Sequence, residues 1–132
     1  MGQPAATLGS QVVAVDTHIV LIPTPGGPVP TPLPSPFSGQ ITGGTVATVS
    51  IMGQPAAIVG STADNVPPHI PVGGPFQTPP ANRGTVFTGS ATVLIGGKPA
   101  ARNLDTAVTC DDLAPTAAKG QVIAAGTVLI GG

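Results

Sequence analysis

The stretch TVSIMGQPAA, residues 48–57, decides the fold because the chain contains it three times in related forms. A second copy, TVLIGGKPAA, occupies residues 92–101. The third copy is split, since TVLIGG ends the chain at residues 127–132 and MGQPAA begins it at residues 1–6. Self-similarity of this kind predicts a repeat architecture. We therefore expect a closed ring of three similar units, with the two chain ends meeting inside one of them.

Each copy has the pattern of a β-hairpin. Thr-Val-x-Ile is a β-branched run typical of a short strand. The glycine that follows can take the positive φ of a tight turn, and the next proline begins the returning strand, where it removes no needed ladder N–H. These glycines and prolines are Gly2 and Pro4, Gly53 and Pro55, and Gly97 and Pro99. The motif itself predicts only hairpins, so function must lie in what the hairpins carry.

The composition agrees with an ordered all-β chain. Gly and Pro contribute 19 and 17 of 132 residues, which suits a turn-dense fold. Disordered chains are polar and charged, whereas 41% of these residues are hydrophobic. We predict one all-β domain over residues 1–132, a small cone of three pseudo-threefold hairpin repeats. The repeats span about 1–47, 48–91 and 92–126, and residues 127–132 complete the first hairpin.

The low charge of the chain bears on its partners. Only 7% of residues are charged, against about 25–35% on a freely soluble small domain. This indicates a surface held largely against another protein, or alternatively a slender β-domain that lacks Lys and Glu. A net charge of −1 argues against nucleic-acid and anionic-membrane partners. With one cysteine and no leader-like or membrane-spanning run, we expect synthesis in a cytoplasm without a signal peptide.

Three residues stand at comparable places in the repeats and form a candidate metal site. His18 follows Pro4 by fourteen positions, as His69 follows Pro55. Cys110 follows Pro99 by eleven positions in the third repeat. Pseudo-threefold symmetry would bring such positions together on the axis, and imidazole and thiolate are preferred zinc ligands. A metal would also staple a small domain without aromatic packing.

An aspartate precedes each of these three residues. Asp16, Asp64 and Asp105 could each accept the second ring proton of a histidine ligand. They could equally be turn residues that bond to their own backbone. The sequence leaves these two roles open.

A proline-rich tract, IPTPGGPVPTPLPSPF, occupies residues 22–37. It could be a polyproline II ligand or a linker. A GGP followed by Thr-Pro also stands in the second repeat, however, and linkers do not repeat in register with hairpins. We therefore predict a stiff, ordered loop.

Taken together, the three Pro-Ala-Ala hairpins, with GKPAAR at residues 97–102, resemble the PAAR-repeat proteins. The stretches DTHIVLIPTPGGPVPTPLPSPFSG and PPANRG are similar to a PAAR-like branch of that family. The resemblance implies a non-enzymatic tip for the membrane-puncturing spike of a bacterial contractile injection machine, such as a type VI secretion system or a phage-tail-like particle. One chain would cap a trimeric VgrG-type β-helix, carry a separate effector as possible cargo, and contact the target membrane only on puncture.

The resemblance further implies an apical structural zinc bound by His18, His69 and Cys110. In this branch a histidine is expected where the chain has Ser35. The fourth coordination position is therefore left open among Ser35, Asp16, Asp111 and water.

Two alternatives come from other functional classes. A metal held by two histidines and one cysteine, with an open fourth position, is the arrangement of a catalytic zinc. A zinc hydrolase would need a general base, for which Asp16, Asp111 and Asp112 are the candidates, because the chain has no Glu. The other alternative is a free-standing structural metal-binding β-protein without a spike partner.

Overall fold

A computed structural model describes residues 2–114 and 116–131 of the chain. The described residues form twelve strands and no helix, so none of them forms a helix able to span a membrane. The strands are β1 Gln3–Pro4, β2 Gln11–Ile22, β3 Val29–Gly43, β4 Val46–Ile51, β5 Gln54–Ala56, β6 Thr62–Asn65, β7 Arg83–Val86, β8 Leu94–Ile95, β9 Lys98–Pro99, β10 Thr106–Val108, β11 Gly120–Ile123 and β12 Leu129–Ile130.

Six strands close into an antiparallel barrel in the order β10-β11-β2-β3-β6-β7. Each of the three predicted repeats contributes two neighbouring strands to it. β2 and β3 are far longer than the others and pair from Gln11↔Gln40 to Ile22↔Val29. We call their part beyond Ala14↔Phe37, from Val15 to Pro36, the distal hairpin. One end of the barrel therefore has pseudo-threefold symmetry. At the other end, the distal hairpin extends beyond the shorter strands on one side.

Three short hairpins, β1–β12, β4–β5 and β8–β9, form what we call the base ring. In two of them a two-residue turn joins the strands, Met52-Gly53 and Gly96-Gly97, and all four residues have positive φ, as type I′ turns require. In the third hairpin Gln3 pairs with Ile130 and so joins the two ends of the chain. The predicted closure is confirmed, although the terminal residues Met1 and Gly132 lie outside the described residues.

A cycle of backbone hydrogen bonds records the pseudo-threefold symmetry of the base ring. The Ala6 N–H donates to the Ala101 carbonyl, Ala101 donates to Ala57, and Ala57 donates to Ala6, each over 3.0 Å. In a second cycle, each motif proline accepts a backbone hydrogen bond from another repeat. The N–H of Leu8 donates to the Pro55 carbonyl, that of Val59 to Pro99, and that of Asn103 to Pro4. The same contact therefore occurs once per repeat, as the repeated letters predict.

Two apolar clusters fill this architecture. Under the base ring, an isoleucine from each hairpin packs with the small alanines that follow the prolines. That cluster contains Ala5, Ile51, Ala56, Ile58, Ile95, Ala100 and Ile130. The second cluster fills the barrel around Phe37, Val12 and Val122. Since Phe37 lies at the boundary of the distal hairpin, the apolar core ends where the polar residues of β2 begin.

The proline tract forms a strand rather than the predicted loop, because β3 begins at Val29. Pro30, Pro32, Pro34 and Pro36 stand at every second position, and successive backbone N–H groups of a strand point to opposite edges. The Ser38 N–H, in the same alternating series, points away from β2 toward Asn65. All the missing N–H groups therefore lie on the edge that does not face β2, where a strand tolerates proline.

Candidate metal centre

The three residues singled out by the repeats come together in the structure, and Asp16 joins them. Each side chain offers one ligand atom, and these four atoms all lie within 4.8 Å of one another. His18 and Asp16 lie on β2 and are fully buried. His69 follows β6, and Cys110 follows β10, so all three repeats contribute to the cluster.

The local fold explains why these positions converge. Ser10, Ser61 and Asp105 occupy equivalent places, since each side chain accepts a hydrogen bond from the backbone N–H three residues earlier. His18 and His69 both follow their equivalent serine by eight residues, and Cys110 follows Asp105 by five. Asp16 lies two residues before His18 on β2 and therefore faces the same side of the strand.

The separations within the cluster suit a tetrahedral metal. Zinc bonds of about 2.0–2.3 Å to N, O and S imply ligand atoms about 3.3–3.8 Å apart. The Cys110 sulfur lies 3.4 Å from Asp16 Oδ2 and 3.6 Å from His18 Nε2. His69 Nε2 lies 3.2 Å from the same Asp16 oxygen. The residue types and their spacing therefore fit a zinc ion.

Asp16 divides its two carboxylate oxygens between different contacts. Oδ1 accepts a hydrogen bond from the Thr109 hydroxyl. Oδ2 faces His69 Nε2 and the Cys110 thiol. Oδ2, which does not accept from Thr109, is thus the oxygen that points into the cluster.

His18 is positioned by the loop that follows Cys110. Asp112 Oδ2 accepts from the Ile19 N–H at 3.0 Å, and its Oδ1 lies 3.1 Å from His18 Nδ1. The two atoms are close but not aligned as a hydrogen bond, so His18 Nδ1 is a buried nitrogen without a hydrogen-bond partner. A neutral histidine that binds metal through Nε2 carries its proton at Nδ1, where Asp112 would be the acceptor.

His69 has a different neighbour at Nδ1. Asn65 Oδ1 accepts from the Ser38 N–H, which directs Asn65 Nδ2 toward His69 Nδ1 at 3.2 Å. An amide nitrogen only donates, so His69 Nδ1 accepts in this arrangement and Nε2 carries the proton toward Asp16. Because a metal on Nε2 would move that proton to Nδ1, metal binding requires the Asn65 amide to turn over.

The Cys110 thiol is protonated in this environment. Burial, followed by the negative charge of Asp16, raises the pKa of the Cys110 thiol to about 11. A metal ligand must be the thiolate. Zinc binding would therefore release the thiol proton, and zinc affinity would fall as the pH falls.

The other aspartates do not reach the cluster. Asp64 is exposed on β6 and accepts from Arg83 and Thr42, and the Arg83 contact, then that of Thr42, lowers its pKa. Asp105 bonds to the backbone and side chain of Arg102. Of the two roles predicted for these residues, the structure shows the turn role for Asp105, which accepts from the Arg102 N–H, whereas Asp64 forms an ion pair with Arg83.

Asp111 is also absent from the cluster. One of its oxygens accepts from the Leu113 and Ala114 N–H groups, and the other accepts from the Thr17 N–H and Lys119. With both oxygens occupied, Asp111 is available neither as a fourth ligand nor as a general base. Asp112 likewise holds its loop against β2, because its side chain accepts a hydrogen bond from the Ile19 N–H.

Ser35 lies directly across the β2–β3 ladder from Asp16. Opposite residues of an antiparallel pair share one face of the sheet. Ser35 and His69 also line one shallow groove beside the cluster. Position 35 is therefore next to the cluster, although its hydroxyl is a poor substitute for an imidazole.

Sequence reasoning missed the residues that orient the cluster. Thr109 holds one oxygen of Asp16, and Asn65 and Asn82 hold His69. The adjacency of Thr109 to Cys110 was the only signal, and the two asparagines carry no repeat signature. Nothing in one sequence identifies them.

Comparison with known proteins finds a family match in the second half of the chain. Residues 77–132 match the family model of the PAAR motif. The chain carries a PAAR motif. The matched residues contain β7 to β12 and Cys110, whereas His18 and His69 precede them. A search of curated proteins found no match.

Proposed function

We propose that this PAAR chain is the non-enzymatic tip of the membrane-puncturing spike of a contractile injection machine, either a type VI secretion system or a phage-tail-like particle. One chain caps a trimeric VgrG-type β-helix. The chain is made in the bacterial cytoplasm and leaves it as part of the assembled particle, with a separate effector as possible cargo. Its action is mechanical, since a narrow stapled point concentrates the force applied to a target membrane.

The base ring carries this proposal. The cycle of hydrogen bonds through Ala6, Ala57 and Ala101 repeats one geometry three times within one chain. A face with that symmetry presents three similar contacts to a threefold trimer, so that one PAAR chain can contact all three spike chains in the same way.

The surface of the base ring supports the same partner. Leu94 and Leu129 stand at equivalent positions of two hairpins and are about three-fifths exposed, and Met52 is half exposed in a turn. Exposed apolar side chains grouped with so few charges mark a protein-contact surface.

A zinc ion would complete the centre described above. It would tie β2 to the segments after β6 and β10, which lie beyond the apolar core of the barrel. Structural zinc contributes on the order of 10 kcal/mol to folding. The zinc staple is thus proposed to stiffen the part of the molecule that lies beyond the apolar cluster of the barrel.

Co-purification with the cognate spike protein tests the proposal. Leu94→Glu together with Leu129→Glu should abolish the complex, because two charges would be buried at a protein contact. Val15→Glu is the control, since Val15 is similarly exposed but lies on the distal hairpin. Loss of binding in the control but not in the base variant would refute this docking face, and failure of the native chain to bind any trimeric spike would refute the function.

A further inference from the structure

We propose that Asp16 supplies the fourth protein ligand of the metal centre, which then consists of two histidines, one cysteine and one aspartate. The inference rests on the proposed zinc binding and identifies the ligand that the sequence leaves open. Its first support is geometric, because Asp16 Oδ2 lies 3.2 Å from His69 Nε2 and 3.4 Å from Cys110 Sγ. Both separations are close to the edge of a zinc tetrahedron.

The hydrogen bond from Thr109 prepares Asp16 for this role. Thr109 donates to Oδ1, and Asp16 and Thr109 are both buried. A carboxylate held through one oxygen presents the other in a fixed direction, as metal-ligating carboxylates do when they are hydrogen-bonded outside the metal's first coordination sphere.

Charge balance supplies an independent support. Three of the other aspartates pair with Arg83, Arg102 or Lys119, and Asp112, which is partly exposed, lies beside His18. Among the described residues, no lysine or arginine forms an ion pair with Asp16, although Asp16 is fully buried. A buried carboxylate without a lysine or arginine to balance its charge is costly, and a divalent cation would neutralise it.

The same balance favours Asp16 over Ser35 and water. Zinc bound by two neutral histidines and one thiolate leaves a net charge of about +1 in a buried site. Adding the Asp16 carboxylate brings that charge to zero. A hydroxyl or a water molecule adds no negative charge unless it ionises, so the carboxylate is the ligand that a buried site requires.

Zinc affinity of the purified native chain, measured by competition with a chelator, gives the first test. Asp16→Asn should weaken zinc binding at least about tenfold, because an amide oxygen replaces an anionic ligand. Asp64→Asn is the matched control, since the Asp64 side chain is half-exposed and outside the cluster, and the zinc affinity of this variant should equal that of the native chain. Equal affinities for the native and Asp16→Asn chains would overturn the inference while leaving zinc binding intact.

Cobalt substitution separates a ligand from a merely structural residue. In Asp16→Cys, kept reduced, Co²⁺ should show about twice the thiolate-to-metal charge-transfer absorption of the native chain, because only a side chain that touches the metal adds a second sulfur. Unchanged absorption in a folded Asp16→Cys chain would contradict the inference.

A crystal structure of the zinc-loaded native chain keeps the inference testable if both variants fail to fold. An Asp16 oxygen should lie about 2.0–2.2 Å from the ion. Water or Ser35 at that position would overturn the assignment of Asp16 alone. Absence of any bound metal in elemental analysis would instead overturn the proposed zinc centre itself.

Discussion

The base ring and the distal hairpin follow opposite rules of construction. The base ring uses the same hairpin three times, and its backbone bonds and buried isoleucines repeat with it. The distal hairpin has no counterpart in the other two repeats, whose barrel strands are four residues long or shorter. Beyond Phe37 its interior contains the polar Asp16 and His18 side chains together with Val20. Repetition thus builds the base ring, which is proposed to meet a threefold partner, and the long hairpin adds Asp16 to the candidate metal centre.

The two regions also differ in what stabilises them. Each buried isoleucine of the base ring contributes about 1.5–3 kcal/mol through the hydrophobic effect. The distal hairpin instead depends on hydrogen bonds among Asp16, Thr109, Asn65 and His69. Such networks add little net stability, but leaving one member unsatisfied is costly. We therefore expect the base ring to determine whether the chain folds, and metal to determine how firmly the distal hairpin is held.

The largest expected effect comes from deleting residues 127–132, which removes β12. The deletion loses the burial of Ile130 and leaves the Ala5 N–H without its acceptor, Val128. The cost is about 3–6 kcal/mol, close to the whole stability of many small domains. Thermal melting with excess zinc should show an unfolded or strongly destabilised chain. The control, Cys110→Ser, should lose only the stabilisation that zinc provides, and unchanged melting after the deletion would contradict the closed ring.

The ladder between Asp16 and Ser35 offers a sharper test of the distal hairpin. Ser35→His should restore at least about tenfold of the zinc affinity lost in Asp16→Asn, because the two positions face each other across β2 and β3. Chelator competition on the single and double variants measures this recovery. Thr31→His, further along β3 opposite Val20, is the control and should restore nothing. Equal recovery by both histidines would show that position 35 has no special access.

Asn65→Asp should strengthen zinc binding by several-fold. The carboxylate would accept both from the Ser38 N–H and from a His69 ring protonated at Nδ1, so no amide need turn over. The gain is on the order of 1 kcal/mol, reduced by loss of the bond to Asn82. Calorimetric zinc titration measures the gain in affinity. Asn103→Asp is the control, because Asn103 lies near the base ring and accepts from the Ala124 N–H. Weaker binding by Asn65→Asp would show that His69 binds metal without a proton at Nδ1.

The smallest effect concerns the pH dependence of folding through Asp111. Burial opposes ionisation, but Lys119 and the N–H groups of Thr17, Ala114 and Leu113 outweigh it and lower the Asp111 pKa to about 2. A folded pKa below the unfolded value of 3.8 gives stability that is present above about pH 4 and lost as the pH falls toward about 2. In metal-free urea titrations, Asp111→Asn should flatten this acid limb. An unchanged limb would mean that Asp111 is not ionised in the fold.

The regions also differ in how well the sequence predicts them. The three hairpins and the meeting of the chain ends follow from repeated letters, and the structure confirms the all-β fold and its closure. The convergence of His18, His69 and Cys110 follows from similar offsets after each hairpin. Their role as metal ligands stays a prediction.

What the sequence hides are contacts that break the repeat. Leu104 has a φ of 72° where the other repeats have Gly9 and Gly60, so a leucine adopts a backbone that glycine normally takes. The alternating prolines of β3 look like a loop until the direction of each missing N–H is known. Thr109 and Asn65 act through side-chain directions that no spacing rule predicts.

One pseudo-threefold chain is proposed to cap three spike chains. Native mass spectrometry of the complex with its cognate spike measures this ratio directly. Three similar contacts within one base ring predict three spike chains to one PAAR chain, with the ratio kept when Cys110→Ser removes a proposed metal ligand. A ratio of three to three, or a PAAR chain that forms its own trimer, would contradict the account.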